Sequence, residues 1–166
     1  MRTVAPTPGS SSTSARVLPT LLAIAGIAGT LDISDNLIFN ALRGVTPAMV
    51  FRFIASGLLG PPAALRLGMV AVALGVLMHY TIAFTWTAVF YVASRRLPFL
   101  LRRPLLWGPV YGAGVYLVMT LIAVPLSRVP HVQAVITLAN RINAVLALLL
   151  CIGLTIALLS RRWLPI

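Results

Sequence analysis

Both acidic residues of the chain, Asp32 and Asp35, fall in one short stretch, GTLDISDN, inside an otherwise apolar segment. A carboxylate surrounded by Leu, Ile and Ala must find a partner, neutralise or serve a function. Other polar groups recur in apolar surroundings further along: His79 in LMHYTI, and Asn140, Arg141 and Asn143 in LANRINAV. An imidazole beside a carboxylate can relay protons, and an arginine beside one can form a buried ion pair. Asp32, Asp35, Asn36, His79, Asn140, Arg141 and Asn143 are therefore the candidate polar cluster.

These residues need helices to position them. Of the 166 residues 60% are apolar and only 9% charged, against roughly 25% charged in soluble domains. Four apolar segments stand out, at about 18–40, 67–92, 105–126 and 136–159. Each is long enough to cross roughly 30 Å of hydrocarbon. No alternation of polar and apolar residues accompanies them, so a transmembrane β-barrel is excluded. The expected fold is an all-α membrane protein, a bundle of about four transmembrane helices. A shorter helix is expected at 47–59, PAMVFRFIASGLL, with Thr46 as cap and Pro47 in its first turn. It is too short to span and is expected to lie in the interface or re-enter the bilayer.

Residues 1–16 read as a flexible cytoplasmic tail rich in Ser, Thr and Pro, and 17–166 as a single transmembrane domain. A cleaved signal peptide is the rival reading of the first segment. Arg2 and Arg16 precede a run with small residues at Ala23, Ala25, Gly26, Ala28 and Gly29. The long preceding tail and the apolar residues after Asp35 argue for a retained span.

The net charge of +11 comes from 13 arginines, with no lysine, against two aspartates. Nucleic-acid binding is not expected, because the arginines punctuate apolar runs instead of forming one patch. With four spans, Arg2, Arg16, Arg95, Arg96, Arg102, Arg103, Arg161 and Arg162 share one side. Arg43, Arg52, Arg66 and Arg128 face the other, with Arg141 near a helix end. The positive-inside rule then places both termini in the cytoplasm, and an inner-membrane protein is expected. Trp107 and Trp163 fit an aromatic belt on that side.

A rise of about 1.5 Å per residue orders the polar groups by depth. Asp32 falls roughly 4–5 Å and Asp35 roughly 9 Å outside the midplane, His79 near it, and Arg141 roughly 10 Å outside. The ladder pairs Asp35 with Arg141 and Asp32 with His79. Stripes of small residues mark helix contacts: Ala25, Gly29, Asp32 and Asn36; Ala71, Gly75, His79 and Ala83; Gly108, Gly112, Tyr116 and Thr120. Gly29, Gly75, Gly108 and Gly112 are the expected packing positions.

There is no HExxH, Gly-x-Ser-x-Gly or Walker sequence, so no catalytic residue, metal site or cofactor is expected and the chain reads as a non-enzyme. Cys151 reads as a small buried hydrophobe and His131, beside Pro130, as a solvated loop residue.

Several pieces resemble the YagU-like family of small, uncharacterised bacterial inner-membrane proteins. They are Gly29-Thr30-Leu31-Asp32, Ile54-Ala55-Ser56-Gly57-Leu58-Leu59-Gly60, His79, Ser94-Arg95-Arg96-Leu97-Pro98, Arg103-Pro104, Tyr111-Gly112 and Val124-Pro125-Leu126-Ser127. The resemblance covers roughly Gly29 to Ser127; the last span, with Arg141, matches less clearly. It implies a membrane protein without an assigned activity. Two functions are therefore expected from different classes. One is a structural or interaction protein whose partners are the bilayer and a second copy or another membrane protein. The other is a small channel or transporter with an Asp/His/Arg polar path.

Overall fold

Why four of these segments become helices is a matter of composition: Leu, Ala, Val and Ile dominate them, and each backbone N–H and C=O must be satisfied within its own segment in lipid. The computed structural model describes residues 11–129 and 137–164, and among these it holds seven helices and no strand. They are α1 (Ser11–Ala41), α2 (Pro47–Leu59), α3 (Pro61–Arg66), α4 (Met69–Arg96), α5 (Phe99–Arg102), α6 (Pro104–Leu126) and α7 (Leu138–Trp163). Four are long and apolar enough to cross a membrane: α4, α6, α7 and the Arg16–Ala41 part of α1. His131 and the expected start of the fourth span at Ile136 lie outside the described residues.

Local chemistry sets the boundaries. Thr46 caps α2 by accepting from the Met49 N–H, and Pro47 opens the helix with its fixed φ. Gly60, at φ 79°, ends it in a conformation that a side chain would oppose. Pro61 and Pro62 then start α3, a short helix that the apolar pattern does not announce. The helix expected to stop near Val92 runs on to Arg96, because Arg95 and Arg96 suit the negative end of a helix dipole.

α1 packs against α4 on one side and α7 on the other, α7 lies along α6, and α2 lies on α4. The apolar core collects where α1, α4, α5, α6 and α7 meet: Leu21, Ile24, Ala28, Phe90, Leu100, Leu101, Val115, Ile152, Ile156, Ala157 and Leu164. Ile24, Phe90 and Ile156 are wholly buried. This core occupies the half of the bundle nearest Arg95, Arg96, Arg102, Arg103, Arg161 and Arg162.

Candidate functional site

The polar cluster is built in the other half, from α1, α4 and the first turns of α7. Gly29 provides the approach. A Cβ added there would stand 3.0 Å from the Ala83 Cβ and 3.2 Å from Tyr80 Cδ1, so α1 and α4 touch with almost nothing between them. That approach brings the His79 Nε2 within 2.8 Å of the Gly29 carbonyl oxygen. A carbonyl oxygen only accepts, so Nε2 carries the hydrogen and donates it. The neighbouring Tyr80 places its hydroxyl 3.0 Å from Thr30 Oγ1 and its ring edge-on to His79. Three side chains on two helices thus form a polar seam.

Asp32 lies one turn of α1 beyond Gly29. His79 and Asp35 are its titratable neighbours, and Cys151 of α7 lies near both aspartates. Asp32 and His79, expected to pair directly or through one water, are neighbours without a direct hydrogen bond, and the His79 Nε2 bonds the Gly29 carbonyl. The Asp32 carboxylate makes no hydrogen bond among the described residues. A backbone acceptor at a small residue wins here because the helices meet at Gly29, which leaves its carbonyl within reach of a side chain from α4.

Asp35 also takes a partner other than the expected one. Asn143 Nδ2 donates to Asp35 Oδ2 at 2.8 Å, tying α7 to α1. Arg141 is exposed, and no ion pair joins it to Asp35. Two residues turn a helix by about 200°, so with Asn143 facing α1 the arginine points away. Among the described residues no arginine pairs with a carboxylate. Asn36 is exposed and accepts from Asn40 Nδ2 through its own carbonyl and its side-chain Oδ1. Asn140 belongs to the start of α7, where its N–H donates to Thr137 Oγ1 and its side chain meets the same hydroxyl. The seven candidates therefore divide. Asp32, Asp35, His79 and Asn143 gather between α1, α4 and α7, whereas Asn36, Asn140 and Arg141 serve helix ends or face outward.

The glycines meet backbone directly. A Cβ at Gly75 would fall on the Phe51 carbonyl of α2. On α6, a Cβ at Gly108 would lie 2.8 Å from the Leu154 Cα, and one at Gly112 2.7 Å from the Leu149 Cα. Gly153 of α7 completes this crossing, with its own added Cβ 2.6 Å from the Gly112 nitrogen. It stands alone between apolar residues in CIGLTI, so no stripe marks it in the sequence. The chain widens into π-helical turns at Met119–Ala123 and Leu148–Leu154, the latter within this contact. Thr155 Oγ1 accordingly donates to the carbonyl five residues back, Leu150, at 3.1 Å.

Two further polar residues are visible only in three dimensions. Tyr111 donates its hydroxyl to the Trp86 carbonyl at 2.6 Å, linking α6 to α4. Arg52, on α2, buries its Nε without a partner among the described residues. No group of three or more His, Cys, Asp or Glu side chains among the described residues is arranged to hold a metal ion. No protein-family model matches the chain, and comparison with curated proteins and with solved structures finds no match.

Proposed function

We propose that this chain is an integral protein of the bacterial inner membrane with both termini in the cytoplasm, acting as a non-enzymatic structural or interaction component. The observation that carries this reading is that several of the polar side chains inside the bundle join different helices. His79 ties α4 to α1, Asn143 ties α7 to Asp35 on α1, and Tyr111 ties α6 to α4. Hydrogen bonds of this kind supplement small-residue packing in lipid, where hydrophobicity does not draw helices together. The arginine asymmetry supports the orientation. Membership of the YagU-like group rests on the resemblance of the short pieces named above. The partners are the bilayer and a second copy or another membrane protein.

One observation favours a second reading, a small channel or transporter. The Asp32 carboxylate has no hydrogen-bond partner among the described residues and lies near His79 and Asp35. An ionisable group so placed inside a bundle is a typical element of a proton path.

Proteoliposomes separate the two. The packing role is expected to give proton and potassium flux no higher than protein-free vesicles, in wild type and in Asp32→Asn alike. Flux present in wild type and abolished by Asp32→Asn would replace it with the polar path. Orientation is checked by reporter fusions, expected to report cytoplasm after Phe99 and periplasm after Pro62.

A further inference from the structure

Arg102 ends α5 and Arg161 lies in the last turn of α7, where both line a cavity of about 420 Å³ with Pro98, Leu101 and Leu164. It is an open groove on the surface, able to seat a headgroup on one side without enclosing it. Leu101 and Leu164 belong to the edge of the apolar core, so the groove is floored by the bundle itself.

We infer that this cavity holds the phosphodiester headgroup of an anionic phospholipid, gripped by Arg102 and Arg161. Charge makes the case for an anion. Arg95, Arg96, Arg103 and Arg162 stand at the same end, while both acidic residues of the chain lie in the opposite half. Neither Arg102 nor Arg161 donates a side-chain hydrogen bond among the described residues, so their planar donor sets are available to phosphate oxygens.

The surroundings make the case for a lipid over a free phosphate. Polar and apolar surface share the lining almost evenly, the two arginines facing Pro98, Leu101 and Leu164. Leu105 and Leu106, which follow directly on α6, are exposed, as is Leu158, one turn before Arg161 on α7. A molecule with an anionic head and acyl chains would satisfy both the arginines and these leucines. Basic pockets between helix ends at a membrane surface suit such headgroups. The inference rests on the membrane reading of the four long helices and is independent of the role given to Asp32 and His79.

The test uses the full chain purified in an uncharged detergent, with thermal unfolding followed as lipid is added. Phosphatidylglycerol is expected to raise the melting temperature, and phosphatidylcholine and inorganic phosphate to leave it unchanged. R102Q/R161Q should weaken the apparent affinity for phosphatidylglycerol about 30-fold, given the usual contribution of an arginine near an anionic surface. R43Q/R66Q, which removes as much charge from the opposite end, should leave it close to wild type. An equal response to phosphatidylcholine, or an equal loss in R43Q/R66Q, would overturn the site. A shift reproduced by inorganic phosphate would reassign it to a soluble anion and overturn the lipid. If R102Q/R161Q does not purify, native mass spectrometry of the wild type from an equal mixture of the two lipids decides. Retained phosphatidylglycerol supports the site, and indiscriminate or absent retention overturns it. Recovery of the protein without detergent would refute the membrane reading itself, a result distinct from a loss of lipid selectivity.

Discussion

The two halves of the bundle are held together by different means. In the arginine-rich half the helices enclose an apolar core in which Ile24, Phe90 and Ile156 are wholly buried. There α6 and α7 meet backbone to backbone through Gly108, Gly112 and Gly153. In the acidic half, the close approach at Gly29 is joined by polar contacts between α1, α4 and α7: His79 to the Gly29 carbonyl, Asn143 to Asp35, and Tyr80 to Thr30. The difference shows what each kind of contact can and cannot absorb. Backbone contact fails sterically, since a helix axis cannot yield locally. A hydrogen-bonded contact fails by a bond, and side chains can turn to compensate.

The largest expected effect is at the glycine crossing. A side chain at Gly112 must displace the backbone of Leu148 and Leu149, which no rotamer change can accomplish. Overpacking typically costs about 1–3 kcal/mol and more when the opposing atoms are rigid. Gly112→Val and Gly153→Val should therefore each cost at least about 3 kcal/mol. Size-exclusion profiles in detergent should show loss of the monodisperse species; a wild-type profile would mean that α6 and α7 do not approach closely.

Gly75→Ala comes next. The added methyl would fall on the Phe51 carbonyl, so α2 should lift from α4 at a cost of about 1–3 kcal/mol while the other helices stay assembled. A cysteine pair introduced at Phe51 and Leu74 reports this. Disulfide formation should be efficient with Gly75 in place and should fall several-fold once Gly75→Ala is added. Equal yields would remove α2 from that face.

His79→Phe should be milder. It deletes one interhelical hydrogen bond and retains ring volume, which implies a loss of roughly 0.6–1.7 kcal/mol. Steric trapping or mild denaturant titration in bicelles measures it. A loss as large as that of Gly112→Val would mean that the seam, not the glycine crossing, dominates the bundle.

The long helices were legible because composition alone demands them, and α2 was legible to the residue because Thr46, Pro47 and Gly60 are strong boundary signals. The glycine stripes on α4 and α6 were legible too, as positions where backbones must approach. The partners of the polar groups were not. Depth along a span follows from counting residues, but direction around the helix does not. Asn143 and Arg141 sit at nearly the same height and face opposite ways, so charge favoured the wrong one. The acceptor for His79 is a main-chain carbonyl, which no side-chain pattern reveals. The π-helical turns and Gly153 depend on how α6 and α7 settle against each other, a property of the pair and not of either segment.

The central claim is that the intramembrane carboxylate of Asp35 serves to join helices through Asn143. A double-mutant cycle tests it most directly, using Asp35→Asn, Asn143→Ala and Arg141→Gln, singly and in pairs, with unfolding free energy measured in bicelles. Asp35 and Asn143 are expected to couple by roughly 1 kcal/mol, the scale of an interhelical hydrogen bond in a membrane. Asp35 and Arg141 are expected to be additive within about 0.3–0.5 kcal/mol, as for residues that do not touch. Coupling between Asp35 and Arg141, with additivity between Asp35 and Asn143, would contradict the account.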